Sequence, residues 1–479
     1  MIWARGALSI PAMYGDTSNL DEVRQRLNSV SPCFCLAKWK HVTIHLLNGT
    51  NHSCYLPPPH KIPLEEIARN PSALHNSSHK KQVRKDMLEG RRTKECGMCW
   101  TIEDLPGNQL SDRIVRGTET WTKPYFDEVR RMPWDADVFP AYMEVSFSSI
   151  CNFKCSYCAP HVSTKWHEEI KQHGPYELSA RHNDMQWVVD QGLMPIEDED
   201  NNPYIEAFWK WWPDVYPHLK VFRVTGGEPL LSKHTFRVLD WIDEHPHTGL
   251  ELDINSNLGV PTPVFERFLA RVEKLTREKK IRHFKIHTSL DNFGAKAEYI
   301  RHGLDFERFQ KHVHDYLTRL PQGDISFMST FNILSVDGYE RFLDWMIELR
   351  EQHQKNGRWV NFDIPHLTGP MHLSARILTP DYQDKVAGLA RYIQARVDED
   401  RKKPRLRAIE FEKMRRIHEW MRQPLPEDQL RTLRHDFYLY FREHDRRRGT
   451  DFLATFPEMK GFWEFCRDLG KPKEPTLSL

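Results

Sequence analysis

Three cysteines, Cys151, Cys155 and Cys158, stand in a C-x3-C-x2-C spacing. Thiolates this close on one loop can hold three irons of a cubane cluster and leave the fourth iron without a protein ligand, open to a small molecule. A structural zinc site is instead closed by four ligands, so the zinc alternative has to recruit a ligand from elsewhere. A second constellation lies upstream. Cys35, Cys54 and the C-x2-C pair Cys96 and Cys99 can converge tetrahedrally on one metal. Cys33 could replace Cys35 in that set. Complete four-thiolate ligation suits electron relay or support of the fold, not substrate binding at an open iron. Cys466, in Trp463-Glu464-Phe465-Cys466, lies on an apolar helical face and reads as a buried structural cysteine.

Eight of the nine cysteines fall between Cys33 and Cys158. Clustering, an odd count and the lack of an export signal point to metal ligands in a reducing compartment, the cytoplasm. Met1 to Tyr14 is broken by Arg5 and Pro11 and lacks the apolar core of a signal peptide. No apolar run approaches the roughly 20 residues of a membrane span. A net charge of +1 provides no global field for nucleic acid or an anionic membrane. P-loop, H-E-x-x-H and G-x-S-x-G motifs are missing. Trp209, Trp211 and Trp212 read as packing residues, and Arg446-Arg447-Arg448 as a solvated run.

The elements that must position these groups divide the 479 residues into four regions. Residues 1–30 form a leader with a short helix near 21–27. Residues 31–105 carry the upstream cysteines, a strand over Val42–Leu47 closed by Asn48-Gly49, and a basic helix over His79–Arg92. Residues 138–370 alternate strands and amphipathic helices, which implies a parallel sheet. The strands are expected at 141–147, 219–225, 250–255, 283–290, 324–333 and 359–366. Helices are expected at 234–244, 264–277, 305–320 and 338–352. Six βα units make an open, partial (β/α)6 TIM-like barrel with its ligand site at the C-terminal strand ends. Residues 371–479 read as a helical C-terminal region. The stretch 165–215 is an embellishment of the first unit.

The three-cysteine loop follows the first strand, and Gly226-Gly227-Glu228-Pro229 ends the second. Together they resemble the radical S-adenosylmethionine superfamily, whose last motif cysteine usually follows an aromatic, as Tyr157 precedes Cys158 here. The resemblance implies a 4Fe–4S cluster on Cys151, Cys155 and Cys158 that chelates the methionine part of S-adenosylmethionine, with Glu228 receiving the amino group. Asn257, Ser289, Arg301 and Asn332 stand where relatives contact the carboxylate, ribose or adenosine.

The N-terminal cysteines resemble the auxiliary-cluster module called twitch, or its relative SPASM. Two departures are plain: Lys38 stands where that pattern has proline, and the module precedes the barrel. It implies a second, auxiliary 4Fe–4S cluster, with structural zinc as the alternative. The function expected is reductive cleavage of S-adenosylmethionine to a 5′-deoxyadenosyl radical, which takes hydrogen from a small polar metabolite or a peptide. The electron would come from flavodoxin or ferredoxin. The competing readings are a zinc-stabilised binding protein without activity and an RNA-modifying radical enzyme.

Overall fold

The computed structural model describes residues 19–107, 109–196, 200–355, 357–399 and 405–470. Most of the expected leader, residues 1–18, lies outside them, as do residues 400–404 and 471–479 of the expected helical region. The expected leader helix is present at Leu20–Asn28.

The strands are β1 (His41–His45), β2 (Thr50–His52), β3 (His60–Lys61), β4 (Tyr142–Ser146), β5 (Lys154–Cys155), β6 (Val221–Thr225), β7 (His247–Asn255), β8 (Ile281–Ser289), β9 (Arg301–His302), β10 (Asp324–Met328) and β11 (Val360–Asp363). Nine of them form one sheet, ordered β11-β10-β8-β7-β6-β4-β1-β2-β3, and β5 pairs with β9. All six expected barrel strands are present, parallel and adjacent in the expected sequence. The expected helices between them occur at Lys233–Glu244, Thr262–Arg277, Phe306–Arg319 and Tyr339–His353.

The N-terminal strand joins the same sheet. β1 runs parallel to β4, His41 to Ser146 in continuous register. It turns back through Asn48-Gly49 into β2, and Gly49 has φ +68°, a left-handed conformation that suits glycine. The cysteine-bearing hairpin is therefore an extension of the large sheet.

Helices cover one face of this sheet. Phe222 packs on Trp212, Phe284 on Phe268, Phe327 on Trp345 and Phe362 on Phe342. The other face is polar. One registered row reads Glu144, Arg223, Asp253, Lys285, Asp324 across β4, β6, β7, β8 and β10. The next row contains His45, Ser146 and Thr225, then Asn255, His287, Ser326 and Asn361. Parallel sheets are normally apolar on both faces, and closed barrels fill their interior with branched aliphatic side chains. A polar inner face is the composition of a binding surface.

The long connection after β4 contains helices at Thr164–His173, Met185–Asp190 and Pro203–Val215. Trp211 and Trp212 are buried there, as packing residues should be, and Cys466 is fully buried. Among the described residues, no helix is long and apolar enough to cross a membrane.

The arginine run corrects the sequence reading. The Arg446 side chain is 60% exposed, but those of Arg447 and Arg448 are 2% and 0% exposed. Both lie at the end of the 22-residue helix Glu427–Arg448. Arg448 pairs with buried Glu169 at 3.0 Å and donates to the Lys154 carbonyl at 2.7 Å. Removing one member of a buried pair strands the other. Arg448→Met should therefore lower stability by about 3 kcal/mol, the low end because Lys154 still reaches Glu169. Arg446→Met should stay within about 0.5 kcal/mol. Urea unfolding of the two variants, with equal losses, would contradict this placement.

Candidate functional site

The three-cysteine loop is held by neighbours on every side. β5 pairs with β9, setting Cys155 opposite Arg301. The Ser156 N–H donates to the Ile300 carbonyl at 2.8 Å. Trp166 Nε1 donates to the Cys155 carbonyl at 2.8 Å, and Tyr440 Oη to the Ser156 carbonyl at 2.6 Å. The Cys151 N–H meets Thr164 Oγ1 at 3.2 Å. With its backbone groups satisfied elsewhere, the loop is free to present sulfur. Burial raises all three thiol pKa values, that of Cys158 to about 12. The thiols are thus protonated until a metal displaces the protons.

The glycines after β6 lie directly against the segment that leads into this loop. Gly227 N–H donates to the Ser148 carbonyl at 3.0 Å and Glu228 N–H to the Ile150 carbonyl at 2.7 Å. A Cβ on Gly226, where φ is +124°, would sit 2.7 Å from the Ser148 oxygen; one on Gly227 would sit 2.3 Å from the Ile150 oxygen. No side chain fits either place. Pro229 then opens a buried turn over Pro229–Leu231.

Glu228 is 1% exposed. Its carboxylate accepts from Ser256 Oγ at 2.7 Å, Leu230 N–H at 3.0 Å and Asn257 N–H at 2.6 Å. Burial raises its pKa to about 7 against the pull of these three donors. Such a carboxylate gains from a cation brought beside it. Asn257 is in place at the same turn, its side-chain amide donating to Asn152 Oδ1 at 2.9 Å, within the cysteine loop.

Tyr157, Asp291 and Arg301 form a buried triad. Tyr157 Oη donates to Asp291 Oδ2 at 2.8 Å, and Arg301 reaches Asp291 at 3.0 Å and Tyr157 Oη at 2.5 Å. Arg301 Nη1 also lies 3.5 Å from Cys155 Sγ. The Arg301 charge is answered by Asp291, which is fully buried. The guanidinium is placed to stabilise a negative charge at Cys155. Ser289 ends β8, half-buried on the polar face. Asn332 spends its side chain on its own turn, donating to the Thr330 carbonyl at 2.9 Å and accepting from Leu334 N–H at 2.9 Å.

Residues that sequence reading missed stand on the polar face below these loops. His287 Nε2 lies 3.0 Å from Asp253 Oδ2. Asp253 Oδ1, His287 Nδ1 and Ser326 Oγ are buried without a hydrogen-bond partner, and their residues are at most 5% exposed. Burial lowers the His287 pKa to about 4, so the imidazole is neutral. With Nε2–H given to Asp253, its Nδ1 is an unused acceptor. Buried polar atoms left unpaired on three neighbouring strands await a ligand or water. The signal was in the alternation of Leu252-Asp253-Ile254-Asn255 and Phe284-Lys285-Ile286-His287. Beside the loop, an open cleft of about 1240 Å³ runs between Leu47, Ser148 and the side chains of His167 and Lys171.

The upstream cysteines also come together. Cys35, Cys54, Cys96 and Cys99 all line one recess of about 330 Å³, with Lys38 and Arg113. Cys33 does not line it; its Sγ faces the Gly90 carbonyl at 3.4 Å. Of the two alternatives read in the sequence, Cys35 occupies the recess. Burial and the neighbouring Cys96 and Cys54 thiols raise the Cys35 pKa. Lys38, at the position where the resembled module has proline, is buried and ion-paired with Glu95. Arg84 anchors the helix Ser78–Leu88 by donating to the Lys38 carbonyl at 3.1 Å.

No family model matches the chain, and no solved structure matches it. Two relatives do. A GTP 3',8-cyclase of Campylobacter lari is 24% identical over 225 residues, 46% of this chain and 55% of that protein. A GTP 3',8-cyclase of Nautilia profundicola is 29% identical over 94 residues, 18% of this chain and 27% of that protein. The chain thus spans about half the length of the first relative and about a quarter of the second. With these relatives stand the cysteine loop after β4 and the Gly-Gly-Glu-Pro turn fastened to it. These motifs and these relatives together support membership of the radical S-adenosylmethionine superfamily. The chain's donor set fits the superfamily's 4Fe–4S cluster: three thiols on one loop, an arginine beside one of them, and glycines that leave backbone room at the loop.

Gly227→Ala should push the segment before Cys151 out of place and reduce iron retained after anaerobic reconstitution to less than half. Gly461→Ala, where a Cβ meets nothing within 4 Å, should leave it unchanged. Equal iron per chain in both variants would contradict the role given to the turn.

Proposed function

We propose that this radical S-adenosylmethionine protein cleaves S-adenosylmethionine reductively and takes hydrogen from a small polar metabolite or a peptide. The observation that carries this reading is the buried Glu228 carboxylate, on a turn hydrogen-bonded to the residues just before Cys151. When bound, the 4Fe–4S cluster supplies the electron that breaks the sulfur–C5′ bond. Cys151, Cys155 and Cys158 hold it, and Arg301 offsets negative charge at Cys155. Glu228 receives the methionine ammonium. Asn257 and Ser289 line the turns around it, and Asn332 shapes the turn after β10.

The sheet, read as the wall of an open partial barrel, offers its polar face to the substrate. Asp253 and His287 accept hydrogen bonds there, and Ser326 can give or accept one. The acids on or beside the registered rows are answered by bases: Glu144 by Arg223, Glu251 by Arg282 and Lys285, and Asp324 by His283.

Cys35, Cys54, Cys96 and Cys99 would hold an auxiliary cluster that exchanges electrons. In a zinc site, bonds of about 2.3 Å put sulfurs about 3.8 Å apart. Such a zinc site on the same four cysteines is the alternative. Flavodoxin or ferredoxin in the cytoplasm would supply the reducing electron.

The direct test is formation of 5′-deoxyadenosine from S-adenosylmethionine under anaerobic reduction. It should occur in the wild type and vanish in Cys155→Ala. An unchanged rate in that variant would sink the reading.

Glu228 adds a pH dependence. Its pKa rises from 4.5 to about 7 on folding. The unfolded chain therefore releases this proton first, and Glu228 costs the fold stability as pH rises through that window. The anion that pairs with an ammonium forms only as pH passes about 7. S-adenosylmethionine affinity should thus rise between pH 6 and 8, and Glu228→Gln should flatten that rise. Equilibrium dialysis showing the same pH slope in both proteins would remove Glu228 from this role.

A further inference from the structure

Beside the upstream cysteine recess, three residues distant in sequence meet at the outer edge of the sheet. His60 lies on the edge strand β3, His79 in the first turn of the helix Ser78–Leu88, and Glu95 in the short turn Lys94–Cys96. One ligand atom from each lies within 4.8 Å of the others. The two imidazole rings are 4.0 Å apart at their centres, and His79 Nε2 is 3.0 Å from Glu95 Oε2. His60 Nε2 is buried and has no hydrogen-bond partner.

We propose that His60, His79 and Glu95 form a binding site for a divalent transition metal of the zinc type. Two imidazoles and a carboxylate are a donor set that zinc takes up, and imidazole suits the later first-row divalent ions generally. Zinc bonds of about 2.0 to 2.2 Å put such donors about 3.3 Å apart. The His79–Glu95 pair is already that close, so His60 alone has to swing in. Burial, with His79 and Lys80 nearby, keeps His60 neutral and its lone pair available.

Glu95 is prepared for two cations. Its Oε1 holds the Lys38 ammonium and its Oε2 faces His79. The side chain of His79 is 48% exposed, which leaves a solvent-facing position for water or an incoming ligand, as open zinc sites have. A metal here would tie the edge strand and the helix to the residue before Cys96, and so brace the mouth of the cysteine recess.

The test is equilibrium dialysis of the iron-reconstituted full chain against micromolar Co²⁺, anaerobically. The expected result is one added cobalt per chain, with the visible absorption of nitrogen and oxygen ligands and no sulfur charge-transfer band. His60→Ala and His79→Ala should each lose that cobalt while keeping their iron. No cobalt on the wild type, a sulfur band, or full uptake in both variants would overturn the site. Should a histidine variant also lose iron, Glu95→Gln decides: cobalt lost with iron kept upholds the site, and cobalt kept overturns it.

Discussion

β4 pairs with β1 on one side and with β6 on the other, and the rest of the molecule depends on that double pairing. The strand delivers the three-cysteine loop from its C-terminal end. Through β6 it meets the turn that carries Glu228, and through β1 it carries the hairpin that leads to Cys54. Both groups of thiols are thus referenced to one rigid hydrogen-bonded ladder. Between them runs a line of polar groups: the Cys54 carbonyl, His52, His45 and Ser146 Oγ. His45 lies 3.2 Å from His52 and 3.0 Å from Ser146. Burial lowers both histidine pKa values, so the line is neutral at physiological pH.

Burial also sets the electrostatics. Glu228, Asp291 and Arg301 are each at most 6% exposed, and a lone charge at such depth is costly. Asp291 and Arg301 meet that cost with each other. Glu228 meets it with three hydrogen bonds and, among the described residues, with no ion pair, which distinguishes a site prepared for an incoming charge from one already neutralised. The helix Glu427–Arg448 contributes from a distance of almost 300 residues in sequence, because Tyr440 and Arg448 take up loop carbonyls that the sheet cannot reach.

Much of this was legible in the sequence because periodicity and spacing are local. The six barrel strands, the helices between them, the turn at Asn48-Gly49 and the two motifs each announce themselves within about ten residues. What stayed hidden depends on contacts between distant segments. Arg447 and Arg448 look like solvated charge until Glu169 and the carbonyls of Lys154, Gly174 and Pro175 are brought to them. The choice of Cys35 over Cys33 turns on how the irregular segment before the helix Ala37–Lys40 aims each thiol. The ion pair between Arg301 and Asp291 also depends on the fold, which brings the ends of two elements together. The polar face could have been found earlier: alternation within parallel strands, where continuous apolar runs are the rule, was visible in β7 and β8.

The central claim is that one sheet carries two thiol sites of different kind, one open and one closed. Iron per chain, counted after anaerobic reconstitution of the wild type and of the Cys151/Cys155/Cys158→Ala variant, tests it most directly. The account predicts about eight irons in the wild type and about four in the variant, two cubane clusters and one. Zinc alone in both proteins would contradict it.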